Sequence, residues 1–363
     1  MDLSKQIQTA GENSTQVIVG TMNVLGVTDE RAREICREEF AILAGEMTEE
    51  AVNIAKERVG QLADKLLPKM ASYDEQLSAF ADPSFQLALR KAQKSAACTD
   101  SESDYDLLSE LLVERAKTKD DKSRQLGVTK ALEIVGQVSD EALLGLATSY
   151  VAVRLKPTAD NLTQALQVYN QVFAKIIGEQ KLPEEGRWVE DLNILMAVRI
   201  NNLGIRQSQD FFSGKFEEQL VAGVEKGCDA YVRIQNDLQS VGLPVDAILV
   251  PHPLKPNYVK FASAQDVKDL SYMQNVGGRL IKINFTDQQR EVLQRVADEL
   301  RKSEASLPKM QVAFMQEWDK YPYLKMVRQW WDSLDSAPIL TPVGEALANA
   351  YSRTKDSSIP KLK

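Results

Sequence analysis

A single apolar stripe constrains this chain more than any other feature. Ile35, Ile42, Leu43, Met47, Ala51, Ile54, Ala55, Leu62 and Leu66 recur at three- and four-residue steps. That spacing lines up one face of an α-helix. Thr28 is a capping residue, and Asp29 and Glu30 fill the first turn, where the helix dipole favours acids. Pro68 is the first expected stop. Read unbroken, 28–67 makes a rod of about 60 Å at the α-helical rise. A break at 45–48 gives two ordinary helices instead. A stripe of this length packs on another long helix, of the same chain or of a second copy.

The rest of the chain reads mainly as helix. Periodic segments cover 84–97, 107–117, 124–136, 139–154, 158–177, 188–203 and most of 216–241, then 286–303, 308–319, 321–334 and 345–351. Thr286 with Gln289 three residues on is a capping-box pattern. The stretch 99–106, TDSESDYD, reads as a solvated acidic loop, and 211–214 as a turn. LPVDAILVPHPLKPNYVKF, 243–261, reads as an extended, proline-interrupted segment across a surface or at a sheet edge. Gly277-Gly278 suggests a turn into the short strand LIKINF. PILTPVG, 338–344, is an extended piece before the last helix. It invites a wing in a winged-helix C-terminal part. The polar tail from Thr354 is expected to fray.

Before the stripe, ENSTQVIVG bracketed by Gly11 and Gly20 has strand chemistry but too little chain for a sheet. Such a segment exposes backbone groups that seek a partner strand. One outcome is pairing between copies, the other is docking on its own helices. The expected class is therefore mainly α, a multi-helix bundle or array with a short N-terminal β segment. The expected divisions are 1–27 for that segment, 28–156 and 157–260 for two helical domains, and 261–363 for the C-terminal part. Gln16, Val17, Ile18, Val19, Val24, Ile35 and Ile42 are the candidate oligomerisation residues.

Composition narrows the function classes. A net charge of −8 disfavours a broad phosphate-binding face, so nucleic acid is not the expected partner. The apolar runs fall far short of the roughly 20 residues of a membrane span. Met1–Ala10 is polar, so no secretory signal is expected. Three scattered cysteines, Cys36, Cys98 and Cys228, fit reduced thiols in the cytoplasm better than a disulfide frame.

Catalytic equipment is sparse. His252 is the single histidine, which leaves none spare for a multi-histidine zinc site and suits a surface or packing role between two prolines. No GxxxxGK[ST] loop occurs. Carboxylate pairs such as Glu49-Glu50 are adjacent on a helix and face apart. No catalytic residue, metal ligand or cofactor is assigned. Trp318, Trp330 and Trp331 cluster near Phe314, Tyr321 and Tyr323. They are read as core, as a partner-binding surface, or as a membrane-interface or base-stacking patch. Neighbouring Trp330 and Trp331 cannot both enter one narrow core, so one is expected at the rim.

TAGENSTQVIVG, DPSFQLALRKAQKSA, LLVERAK, FFSGKF, LVPHPLKPNYVKF and LTPVGEAL, in this order, together resemble a bacterial family known by locus names from Legionella and Veillonella. The resemblance covers nearly the whole chain and brings no catalytic residues. This sequence reads ENSTQVIVG where the family reads closer to DNSTQIQAG. The resemblance implies a cytosolic bacterial protein of mobile elements and suspected phage defence. The expectation is a non-enzymatic, homo-oligomeric interaction protein that recognises another protein, phage-derived in the defence setting. The alternatives are a carboxylate- and metal-dependent hydrolytic effector, nuclease-like in chemistry, and a winged-helix DNA-binding regulator.

Overall fold

The computed structural model describes residues 26–362, apart from 119–120, 160, 185, 202–206, 221–222, 263–266, 277–278 and 302–306. The N-terminal β segment, with Gln16, Val17, Ile18, Val19 and Val24, and the Gly277-Gly278 turn lie outside the described residues.

The chain is mainly helical, with small two- and three-stranded sheets. The stripe breaks at Gly45. α1 spans Asp29–Ala44 and α2 spans Glu49–Tyr73. Thr28 caps α1 as expected, its hydroxyl accepting from the Arg31 N–H at 3.1 Å. Pro68 does not stop α2. A proline inside a helix costs about 3 kcal/mol. Here Leu66, Leu67 and Met70 flank it and are all buried. Burial of such side chains returns about 1.5–3 kcal/mol each. Lys65 also pairs with Glu102 and Asp106 at 2.8 and 3.0 Å, and Lys69 with Glu110 at 3.2 Å, which holds this turn against the next helices.

α3 (Pro83–Ala97), α4 (Glu102–Lys117), α5 (Lys122–Ile134), α6 (Asp140–Arg154) and α7 (Leu162–Ile177) continue the helical body. Half of the expected acidic loop is the first turns of α4. Tyr105 is buried there and Asp104 accepts from the Thr99 hydroxyl at 2.6 Å. Only α8 (Arg187–Ile194) forms in the segment read as a helix to 203. Met196 takes a left-handed φ of 59°, and the Ala197 N–H turns back to the Leu192 carbonyl at 2.8 Å. β1 (Val198–Asn201) follows. The expected turn at 211–214 lies inside α9 (Ser208–Lys215), before the short α10 (Glu217–Leu220).

Residues 224–300 gather around a second, smaller core. β2 (Val224–Glu225), β3 (Leu249–His252) and β4 (Lys255–Phe261) form an antiparallel sheet in the order β2-β4-β3. The segment read as proline-interrupted and extended is thus largely a hairpin, preceded by the short helix α12 (Val245–Ile248). α11 (Asp229–Ser240) and α13 (Asp287–Arg301) pack together beside it. The capping box holds: the Thr286 N–H donates to Gln289 Oε1 at 3.1 Å, and the Gln289 N–H donates to Thr286 Oγ1 at 3.2 Å. β5 (Ser271–Val276) and β6 (Arg279–Asn284) pair as expected for a strand at 280–285.

α14 (Leu307–Trp318) and α15 (Pro322–Ser333) return to the first core, followed by β7 (Ala337–Leu340) and α16 (Pro342–Lys355). The piece read as a wing is β7, and it pairs antiparallel with the distant β1, Val198 opposite Leu340. α16 is packed among α4, α5 and α6. Ala346, Ala348 and Ala350 bring the backbones close, and Asn349 donates to the Tyr150 hydroxyl at 3.0 Å. The tail does not fray. Ile359 is buried, Lys175 pairs with Asp356 at 3.0 Å, and Arg124 donates to the Leu362 carbonyl at 2.6 Å.

Candidate functional site

The aromatic cluster is core. Trp318, Trp330 and Trp331 are 0%, 5% and 3% exposed. The expectation that one of the adjacent pair meets the rim is corrected, because α15 lies between two aromatic layers. Trp330 stacks on Trp188 at 6.0 Å and donates to the Pro183 carbonyl at 2.7 Å. Trp331 stacks on Phe211 at 4.5 Å on the other side. None of the three offers a surface to a partner in this conformation.

A surface that remains open is the cleft between α1 and α2, about 590 Å³ in volume. Phe40, Ala41, Ala44, Val52, Val59 and Ala63 give it an apolar lining. Gly60 adds no side chain, and a Cβ there would meet nothing within 4 Å. Arg33, Arg37, Lys56 and Asp64 form its rim. The hairpin is fixed from behind by α3. Arg90 pairs with Glu39 at 2.7 Å, and Gln93 donates to the Cys36 carbonyl at 2.9 Å. Of the oligomerisation candidates on these helices, Ile35 is 4% exposed and belongs to the core. Ile42 is 54% exposed but lies outside the cleft, as does Ile54.

Cys36 also lines the cleft, mostly buried, and burial pushes its thiol up to about 12. Thiolate is the nucleophile. Iodoacetamide at pH 8 is therefore expected to alkylate exposed Cys98 well before Cys36, read by mass spectrometry of peptides. Equal labelling of the two would show that the floor of the cleft opens.

A second unusual group is Lys215 on α9. Its amine donates to the carbonyls of Ala152 and Leu155, the latter at 2.7 Å, and to the Tyr169 hydroxyl at 3.2 Å. It therefore closes the C-terminus of α6. Burial, with Lys156 nearby, pushes this amine down to about 7. In the unfolded chain it titrates near 10.4. Between those values the unfolded chain binds more protons, so this group makes stability rise with pH, by up to about 1.4 kcal/mol per pH unit. Lys117, pushed down to about 7 by burial and by Lys361 beside it, adds a slope of the same sign. Lys215→Met is expected to remove its share of the slope in urea unfolding at pH 7, 8 and 9. An unchanged slope would mean that the amine stays charged in place.

His252, at the end of β3, is buried, and its Nδ1 accepts from the Leu254 N–H at 3.0 Å. Among the described residues, no group of three or more His, Cys, Asp or Glu side chains is arranged to hold a metal ion. No described helix is long and apolar enough to cross a membrane.

Comparison with curated proteins and with solved structures gives no match. One family model does match, over residues 26–360, from just before α1 to the anchored tail. That span is more than half of the chain and takes in every element described above, so the resemblance read from the sequence motifs holds at the level of the family: the protein belongs to the “-like” family that carries a Veillonella locus name.

Proposed function

We propose that this protein is a homo-oligomeric interaction protein that uses its N-terminal helical hairpin for assembly and its helical body to present surface to another protein. The observation that carries this reading is the open apolar cleft between α1 and α2. Apolar lining of this extent at a helix pair is commonly covered by a further helix. Within the described residues, no helix of the chain lies across it. The aromatic residues that would otherwise make a binding patch are spent on the core.

The hydrolytic alternative would need a metal-holding group, and among the described residues no three His, Cys, Asp or Glu side chains are arranged as one. The winged-helix alternative loses its wing, since β7 pairs with β1. The antiviral setting, with a phage-derived partner, comes with this proposal from the sequence resemblance.

The test is the mass of the full chain in solution. Sedimentation across roughly 1–100 μM, a range spanning common homodimer affinities, is expected to show a defined oligomer. A monomer throughout that range would end the homo-oligomer reading.

A further inference from the structure

The cleft and the tip of the same hairpin are complementary in charge. Arg37 and Lys56 stand exposed on the cleft rim, and neither makes an ion pair within the described residues, whereas Arg33 is held by Asp29 at 2.9 Å and by Asp64 at 3.6 Å. At the other end, residues 38–55 contain five glutamates and no lysine or arginine. Glu38 is taken by Arg31 at 2.7 Å and Glu39 by Arg90 at 2.7 Å. Glu46, Glu49 and Glu50 at the tip are exposed and have no ion pair within the described residues.

Helix geometry puts these groups on one face. Glu49, Val52, Lys56, Val59, Gly60 and Ala63 follow steps of three and four, so Glu49 continues the face of α2 that forms the cleft. Glu49 and Lys56 are two turns apart, about 10 Å along the axis. Midway between them lie Val52 and, across the cleft, Ala44.

We propose that the tip end of the cleft, from Ala44 and Val52 to Phe40 and Lys56, is covered by the same hairpin of a second copy, packed antiparallel about a two-fold axis at the level of Ala44 and Val52. This rests on the homo-oligomer reading and specifies its interface. A two-fold contact is self-complementary by construction. Here it sets Glu49 of each copy against Lys56 of the other, twice, since the two lie three and four residues from Val52. Ala41 and Ala44 allow the helices to approach closely, and Val52 and Phe40 of both copies leave water together. The apolar contact supplies the attraction, while the ion pairs select the antiparallel arrangement over the parallel one, which would set like charges together.

Charge exchange on the full chain tests this. One variant carries Glu49→Lys, the other Lys56→Glu. Both positions are exposed, so folding is expected to be retained, and circular dichroism checks it. Each variant alone places like charges at both contacts and is expected to weaken self-association by about tenfold or more. An equimolar mixture restores both contacts and is expected to form a one-to-one heterodimer, seen by native mass spectrometry. The wild-type chain is the reference. If it self-associates and both variants keep its mass unmixed, the interface proposal is overturned while the homo-oligomer reading stands. If the wild-type chain is monomeric, both fall. Cross-links from Ala41→Cys to residues 1–25 of the same chain would name the N-terminal segment as the occupant, and would equally overturn the proposal.

Discussion

Trp318→Ala is expected to destabilise the protein by about 3–5 kcal/mol, at the top of the range for a large buried aromatic. The ring sits where three helices from different parts of the chain meet. It stacks on Phe212 of α9 at 4.5 Å, meets Tyr169 of α7 edge-on at 5.9 Å, and touches Phe314 of its own helix at 5.7 Å. Its Nε1 donates to the Leu324 carbonyl at 2.7 Å, which sets the turn between α14 and α15. Truncation thus leaves a cavity and removes the second hydrogen bond at the Leu324 carbonyl, which keeps its helical partner within α15, so the cavity is the larger cost. Urea unfolding followed by circular dichroism measures the loss. A change below about 1 kcal/mol, the size of an ordinary surface substitution effect or slightly more, would show that the aromatic layers are not a single packed unit. Trp318→Phe keeps an aromatic ring in the layer while removing the N–H and part of the volume, and is expected to cost less than the alanine variant.

Gly344→Ala is expected to be nearly as costly, about 3 kcal/mol or more, the upper end for overpacking. A Cβ at this position would lie 2.0 Å from the Ala197 carbonyl oxygen. That oxygen cannot give way, since it also accepts from the Thr341 N–H at 3.1 Å and the Thr341 hydroxyl at 2.9 Å. The same three residues join β1 to the start of α16. The added methyl therefore pushes the last helix out from among α4, α5 and α6, and the tail anchored through Asn349 and Arg353 moves with it. Gly60→Ala is the contrast within the same molecule. It adds a methyl in open space in the middle of α2, and the helix propensity of alanine over glycine is expected to raise stability by up to about 1 kcal/mol. Thermal unfolding of the two variants side by side should move in opposite directions. Equal tolerance at both positions would mean that α16 is not closely seated on β1.

Much of the α1–α2 hairpin is legible in the chain itself. The stripe names Ile35, Leu43, Ala55, Leu62 and Leu66, and all five are buried. It also names Ile42 and Ile54, which are not, because a three-and-four spacing followed over 40 residues drifts around the helix and the break at Gly45 resets the phase. The cleft was not legible. It depends on how α1 and α2 lie against each other with α3 behind them, and Gly60 or Ala63 carries no signal of its own. The charge asymmetry along the hairpin could have been found, since the run of residues 38–55 without a lysine or arginine is visible in the sequence. It gains meaning only once Arg37 and Lys56 are seen to stand unpaired beside an apolar groove.

What the sequence determined alone is the class of the fold and where several of its helices begin. Thr28, Ser139 and Thr286 cap the helices that follow them, and apolar periodicity marks α3, α7 and α13, because caps and periods are properties of a few neighbouring residues. What only the tertiary structure decided are contacts between distant parts. Pro68 stays within α2 because α4 packs beside it, β1 stops being helix because β7 pairs with it, and Trp330 and Trp331 are both buried because α15 has an aromatic layer on each side. The tail is ordered because α5, α7 and α16 supply its hydrogen-bond and ion-pair partners. Each of these outcomes balances a local cost of about 1–3 kcal/mol against burial supplied from another part of the chain, and no local pattern in the sequence records that burial.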